Sequence, residues 1–438
     1  MKTAKKLIAL LIACVFVVGS LAACGGGGSN NGGGSGAVNG GSTKGDKTEI
    51  VIGYAGPFTG ALGEFTQAFD WDSKLCLDAI NKDGGIEIGG KKYPVRVVTA
   101  DTESAAATAT EVAKKLILED KVDVIVGAWT PENTSPVAVV AEQYQVPCLC
   151  TNSPYESWTA TYDPEWAYGC MFSVDDIVNG YVTSLVKIKD QTNGKVGFLF
   201  DSDVDGVTFS QRLQPLLEAQ GFTVYDPGRF SVDTTDFTSI IADLQSNDCD
   251  IVCGNQILPN FMTAWKQFNE KNYIPKAFVL GKGLCYGTDF MALDPLPDGI
   301  MCEIEFSKTF PYHSDLLGLN CEELANKWEE EKGTQFPVCS FGYDIVFWEV
   351  LNEAFKNCAD LEPATIAEAI SKVNIDTIYG HIEFTECNGH VAKCPIVCGQ
   401  WFPSEEWDNT YDFNITGIGN FSEIPEADPY IIPNTTQD

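Results

Sequence analysis

Short apolar runs alternate with longer amphipathic segments along most of the chain. Residues 49–54 (EIVIGY) predict a buried strand, and residues 63–82 carry apolar side chains at helical spacing until Gly84-Gly85 ends the pattern. Further strands are predicted at 95–100, 122–127 and 146–151, separated by helices at 104–119 and 133–144. Four strands with three intervening helices predict a parallel, doubly wound sheet.

A second series of the same kind begins at Lys195. It comprises strands at 196–200, 223–225, 250–253 and 277–280, with helices at 207–220, 237–247 and 258–270. The predicted fold class is therefore α/β, with two Rossmann-like lobes built on parallel sheets. The length of 438 residues agrees with two domains plus accessory segments.

The first 23 residues have the pattern of an export signal. Three lysines precede an apolar stretch at 7–19 that is short for a membrane span, and Leu21-Ala22-Ala23-Cys24 resembles the bacterial lipobox. The resemblance implies that residues 1–23 are removed and that Cys24 is lipidated, which would anchor the protein. The alternative is an ordinary secretory signal with an incidental cysteine.

Residues 24–46 then predict a flexible tether. Eleven of the 22 residues from 25 to 46 are glycine, and a flexible chain of that length spans roughly 25 Å. No later run approaches the roughly 18 apolar residues of a membrane span. We therefore expect a soluble body on the extracytoplasmic face of a bacterial membrane, held there only by its lipid anchor.

Charge and motif content exclude several functions. The chain has 28 Lys and Arg against 61 Asp and Glu, a formal charge of -33, which opposes binding to nucleic acid. It has three histidines and none of the G-x-S-x-G, Walker or H-E-x-x-H motifs. We expect no enzyme activity and no cofactor.

Fourteen of the sixteen cysteines remain once Cys14 and Cys24 are set aside. Positions such as Cys148 and Cys150, on one face of an apolar strand, favour reduced thiols buried in the core. Two alternatives remain: a disulfide from Cys387 to Cys394 or Cys398, and a zinc site. The zinc site would draw on Cys387, Cys394, Cys398, His381 and His390.

A series of short motifs resembles periplasmic binding proteins of the leucine/isoleucine/valine type in order and spacing. The resemblance covers about residues 48 to 405. The motifs are IGYAGPFTG from Ile52, AINKDGGI from Ala79, DTES from Asp101, KVDVIVG from Lys121, Val146-Pro147, Asp205-Gly206, Thr235-Asp236-Phe237 and FGYD from Phe341.

This resemblance implies the solute-binding component of an ABC importer. The chain would be monomeric and would capture a small molecule between two lobes before meeting the permease subunits. Three crossover strands would join the lobes, which are predicted as 47–168 plus 297–372 and 169–296 plus 373–438. A sensory lipoprotein that works without a permease is the alternative, because it needs the same clamp.

Ligands of parallel sheets bind beyond the carboxyl ends of the strands, where helix N-termini offer free N–H groups. The loops after the predicted strands therefore supply the candidates. The candidate ligand-binding residues are Leu62, Trp129, Thr130, Thr151, Ser153 and Tyr155 in the first lobe and Asp203, Asp205, Gln256 and Lys282 in the second.

Two groups in the first lobe match family positions that hold a carboxylate or an amide: Trp129-Thr130 and residues 151–153. Ser153-Pro154-Tyr155-Glu156 also resembles the amide- and urea-binding branch. Core packing of Trp129 and helix capping by Thr130 and Ser153 are the structural alternatives.

The second lobe departs from the family pattern. Asp205 stands where many relatives place an aromatic ring, and Lys282 stands where amino-acid binders often place an acid. We expect a small polar ligand. An amino acid whose ammonium meets Asp205 or Asp203 is favoured over an amide, and an aromatic acid on Trp129 and Lys282 comes third. Charges solvated at the rim are the structural alternative.

The lipobox yields a direct test. We expect Cys24→Ser to release the protein from the membrane fraction, because the substituted residue cannot carry the lipid. Fractionation of cells followed by immunoblotting measures this, and unchanged membrane association would contradict the anchor.

Overall fold

Residues 47–159 and 162–431 are described in a computed structural model of the chain. The signal segment, Cys24 and the glycine-rich residues 25–46 lie outside the described residues. The predicted alternation of strands and helices is confirmed through the first part of the chain. Its elements are β1 (Ile50–Gly56), α1 (Phe69–Asn81), β2 (Ile86–Ile88), β3 (Lys91–Tyr93), β4 (Val95–Asp101), α2 (Ala106–Leu118), β5 (Val124–Ala128), α3 (Thr130–Tyr144), β6 (Cys148–Pro154), α4 (Tyr155–Trp158) and β7 (Ala167–Phe172).

The second series also forms as predicted, and it is preceded by a helix that the periodicity did not predict. These elements are α5 (Val174–Lys187), β8 (Lys195–Phe200), α6 (Val204–Ala219), β9 (Thr223–Tyr225), α7 (Thr238–Ser246), β10 (Ile251–Asn255), α8 (Leu258–Glu270), β11 (Ala277–Gly281) and β12 (Met301–Ile304).

The last third of the chain supplies helices and strands to both halves of the fold. They are β13 (His313–Ser314), β14 (Leu319–Asn320), α9 (Cys321–Lys332), α10 (Tyr343–Lys356), α11 (Pro363–Ser371), β15 (Asn374–Thr377), β16 (Gly380–Glu383), β17 (Val391–Lys393), β18 (Val397–Pro403) and β19 (Tyr411–Gly417).

Two large sheets organise the fold. The first has the order β17-β7-β6-β5-β1-β4, and every pairing in it is parallel. The second has the order β19-β18-β12-β11-β10-β8-β9, with antiparallel pairing confined to the β12–β18–β19 end. The predicted α/β class with parallel sheets is confirmed.

The chain passes between the two sheets three times. It leaves the first sheet after Phe172, returns after Ile304 and leaves again between Lys393 and Val397. Each passage lies downstream of the corresponding predicted lobe limit, because β7 and β17 pair with the first sheet and β12 pairs with the second. Assignment to a sheet depends on a distant strand partner, which local periodicity does not report.

Three element boundaries near the strand ends differ from the prediction. The predicted helix 63–82 divides into a 3-10 turn at Gly63–Thr66 and α1. Helix α3 begins at Thr130 because Pro131 fits the first helical turn, where its missing N–H costs nothing. Strand β6 is shifted towards the C-terminus, to Cys148–Pro154.

The fourteen cysteines of the described residues are free thiols, and all except Cys387 are buried. Cys148 and Cys150 lie on one strand face as predicted, with their sulfur atoms 3.6 Å apart. Cys387 packs on a different apolar cluster from Cys394 and Cys398, so the disulfide alternative has no support.

The zinc alternative also has no support within residues 47–159 and 162–431, because no three His, Cys, Asp or Glu side chains there form a metal-binding group. The His381 Nδ1 atom lies 2.7 Å from Asp376 Oδ1, and the His390 ring stacks on Tyr168.

No helix within residues 47–159 and 162–431 is both long enough and apolar enough to cross a membrane.

We expect these thiols to be unreactive in the folded protein. Burial raises the pKa of Cys170, Cys253 and Cys302, and the thiolate is the reactive form. Titration with an aromatic disulfide reagent should label at most one thiol, Cys387, in the folded mature protein. After denaturation it should label fourteen thiols. Twelve thiols after denaturation would instead indicate a disulfide.

Candidate ligand-binding cleft

The carboxyl ends of both sheets border one narrow cavity of about 40 Å³, the volume of about three water molecules on this scale. Contacts across it hold the two halves together: the Tyr286 hydroxyl donates to the Glu64 carbonyl at 3.2 Å. The lining residues come from both sheets. They are Phe65, Trp129, Thr130, Asn152, Pro154, Phe172, Ile177, Asp205, Phe209, Asn255, Lys282, Cys285, Glu303, Glu305 and Cys339.

Trp129 and Thr130 line the cavity where β5 runs into α3. Their φ angles are 67° and 57°, in the left-handed region that side chains with a Cβ rarely adopt. The Trp129 ring stacks on Phe65 at 5.1 Å, and the Trp129 backbone N–H donates to the Thr151 carbonyl at 3.2 Å, whereas the indole Nε1 is buried without a hydrogen-bond partner. Strained backbone of this kind persists where the surroundings enforce it and concentrates at binding sites. The indole is thus both a packing residue and a wall of the cavity.

Two of the candidate residues on β6, Thr151 and Ser153, are absent from the lining of the cavity. Asn152 and Pro154 line the cavity, whereas the Thr151 and Ser153 hydroxyls are buried without a hydrogen-bond partner. Successive residues of a strand point to opposite faces, so a shift of one position exchanges the two sets. Asn152 has a φ of 51°, and its side chain donates to Glu305 at 2.6 Å.

Three further candidates lie beside the cavity without lining it. Leu62 is buried where the 3-10 turn begins, and Tyr155 begins α4, where burial raises its pKa to about 12. Gln256 follows β10 and is fully buried, with both polar atoms of its side chain unpartnered. Its neighbour Asn255 lines the cavity instead.

Lys282, Asp203 and Asp205 form a buried ion-pair network rather than a solvated rim. The Lys282 ammonium lies 2.6 Å from Asp203 and 3.5 Å from Asp205, and the three side chains are 11%, 16% and 7% exposed. Asp203 also caps α6 by accepting from the Gly206 N–H at 2.7 Å. The other oxygen of Asp205, Oδ1, is buried without a partner.

Burial and the lysine charge act in opposite directions on the two carboxyl groups. For Asp203, burial is outweighed by the Lys282 charge and by hydrogen bonds, so its pKa is lowered. For Asp205, burial prevails over the lysine charge and raises the pKa to about 7. Burial disfavours the ammonium of Lys282, but Asp205 and Asp203 together raise its pKa. Lys282 is therefore charged and Asp205 titrates near neutrality.

Sequence reasoning missed Glu303 and Glu305, which line the cavity at the end of β12. Glu303 accepts from the Tyr181 hydroxyl at 2.7 Å and from the Lys282 backbone N–H. Burial raises the pKa of both glutamates. The alternation Cys302-Glu303-Ile304-Glu305-Phe306 was the available signal, since it places two acids on one face of an otherwise apolar strand.

Comparison with known proteins gives concordant matches. A family model described as "Periplasmic binding protein" matches residues 49–402. The Leu/Ile/Val-binding protein homolog 7 of Brucella abortus is 22% identical over 81% of this chain and 89% of its own length. An amino acid binding protein of Pseudomonas aeruginosa is 24% identical over 51% of this chain, and the match spans only 58% of that relative.

The fold also matches solved structures. The leucine-binding protein LivK of Thermotoga maritima superposes with a TM-score of 0.69 at 18% identity, covering 85% of this chain and 99% of LivK. At that identity the match shows a shared fold.

The ion-pair network generates a test by pH. Lys282→Met leaves Asp203 and Asp205 buried without their cation, which should lower the free energy of unfolding by about 3–5 kcal/mol at pH 8. At pH 5.5 the loss should be smaller, because Asp205, with a pKa near 7, is then protonated and needs no cation. Lys282 itself is charged at both pH values. Urea denaturation at the two pH values measures the difference.

Lys74→Met is the matched control, because Lys74 pairs with Asp78 on the surface. We expect no measurable change at either pH. An equal loss for Lys282→Met at pH 5.5 and pH 8 would contradict the role assigned to Asp205.

Proposed function

The chain belongs to the periplasmic binding protein family, and on that premise we propose that it is the solute-binding component of an ABC importer whose ligand is an amino acid or a close derivative. The ligand would sit in the cavity between the two sheets. We further propose that Cys24 anchors the protein to the outer face of the membrane, and that permease subunits receive the loaded form.

One observation carries the amino-acid assignment. Asp205 Oδ1 is a buried carboxylate oxygen without a partner on the second-sheet side of the cavity, while Thr130 opens α3 on the first-sheet side. The ammonium of an α-amino acid would pair with Asp205 Oδ1, and its carboxylate would lie at the N-terminus of α3. Asp203 is the weaker candidate for the ammonium, since Gly206 and Lys282 already engage it.

The two sheets with their helices would act as the lobes of a clamp. A ligand that contacts both lobes stabilises the closed arrangement by its differential affinity for that state. The hydrogen bond from the Tyr286 hydroxyl to the Glu64 carbonyl, which links a loop of each half, would belong to such a closed arrangement. Since 40 Å³ is less than an amino acid requires, entry of the ligand would need the lobes to separate.

Calorimetry with the standard L-amino acids, urea and 4-hydroxybenzoate tests the proposal. We expect at least one amino acid to bind, and Asp205→Asn to weaken that binding by about 10-fold to 100-fold, since a charge-assisted hydrogen bond is lost. Asp233→Asn is the matched control, because Asp233 is exposed in a loop of the second series, and it should bind as the parent does.

Two results would contradict the proposal in different ways. Unaltered amino-acid affinity in Asp205→Asn would remove Asp205 from the site. Binding of urea or 4-hydroxybenzoate without any amino acid would overturn the proposed ligand class.

A further inference from the structure

The cavity is lined by three carboxyl groups and one ammonium group. We propose that its ligand carries more positive charge than a neutral amino acid, so that it is a basic amino acid or a related small compound with a second cationic nitrogen. This inference rests on the proposed function, since it refines the ligand of the same cleft.

The ammonium of Lys282 is already committed. It lies within ion-pair distance of Asp203 and Asp205, and Lys282 itself lines the cavity. Within residues 47–159 and 162–431, no Lys, Arg or His forms an ion pair with Glu303 or Glu305. The acid wall at the end of β12 therefore has no cation of its own.

Neutral donors hold the two glutamates in place. The Tyr181 hydroxyl and the Lys282 backbone N–H donate hydrogen bonds to Glu303. The Asn152 side-chain amide donates one to Glu305. A buried carboxylate with only neutral donors is costly to ionise, as the raised pKa of both glutamates reflects, and a cation supplied by the ligand would offset that cost. Because the two residues are two positions apart along an extended segment, their Cα atoms are separated by roughly 6.5 Å on one face.

A separate observation points the same way. Asn255 lines the cavity, its side-chain oxygen has no hydrogen-bond partner, and the residue is only 2% exposed. With Asp205 Oδ1, two residues that line the cavity thus have a buried acceptor oxygen without a hydrogen-bond partner, and donors of a ligand would satisfy them. Ammonium and guanidinium groups supply several N–H donors each and accept none.

The apolar part of the lining also suits a cation. Four aromatic residues line the cavity, and two of them, Phe65 and Trp129, stack on each other with their ring centroids 5.1 Å apart. Aromatic faces attract cationic groups, most strongly where water is excluded. The aromatic residues that line the cavity are Phe65, Trp129, Phe172 and Phe209.

Calorimetry on the folded, full-length mature protein tests this inference. The probes are L-lysine, L-arginine and 1,4-diaminobutane against L-leucine and L-glutamate. We expect the tightest probe to be cationic and to bind at least about 10-fold more tightly than L-leucine. Glu305→Gln should weaken the binding of that cationic probe by about 10-fold to 100-fold and leave the binding of L-leucine little changed. Glu87→Gln is the control, because Glu87 is exposed on β2, and it should change the affinity for neither probe.

The outcomes separate the inference from the function on which it rests. If L-leucine binds as tightly as the cationic probes, the inference fails and the proposed function stands. If 1,4-diaminobutane binds but no amino acid does, the inference stands and the amino-acid assignment fails. If none of the five binds, the inference fails, and the panel of standard L-amino acids decides the proposed function separately. The ranking of probes on the parent protein decides the matter even if Glu305→Gln does not fold.

Discussion

Parallel pairing is the constraint on which the rest of this structure depends. Parallel strands direct all their carboxyl ends to one edge, so each strand-to-helix loop of a sheet is delivered to the same side. The chain passes between the sheets at β7, β12 and β17–β18, and these passages bring both loop-bearing edges to one cavity. Residues as distant in sequence as Thr130 and Lys282 meet there for that reason.

The second constraint is the cost of burying charge next to that cavity. Lys282 forms ion pairs with Asp203 and with one carboxylate oxygen of Asp205. Asp203 is further stabilised because it caps α6. Glu303 and Glu305 receive only neutral donors. Lys282 thus balances the aspartates beside it, whereas Asp205 Oδ1 and the Asn255 side-chain oxygen have no partner on residues that line the cavity, where donors of a ligand would contribute most.

Rigid surroundings preserve this arrangement. Trp129, Thr130, Asn152 and Lys282 all have left-handed φ angles and all border the cavity. Such angles cost on the order of 1–3 kcal/mol each, so well-packed sheets must hold them. The buried cysteines contribute to that packing, since their thiols fill the faces of β6, β10 and β12 as small apolar groups. Preorganised loops on a rigid core reduce the ordering cost of binding.

The sequence by itself determined the alternation of strands and helices, the parallel sheets and the general position of the cleft at the strand ends. These follow from periodicity, which is local; β9 at Thr223–Tyr225 and α8 at Leu258–Glu270 match their predicted bounds for that reason. Trp129, Thr130, Asp205 and Lys282 were likewise predicted as candidates, because a loop that follows a strand can be identified locally.

Only the tertiary structure decided which neighbours face the cavity and which charges pair. Asn152 rather than Thr151 lines it because the register of β6 is set by pairing with β5 and β7. Lys282 binds Asp203 across 79 positions of sequence, and Glu305 meets Asn152 across 153. Side-chain direction and ion pairing depend on the packing of distant segments, and a local pattern carries no information about that packing.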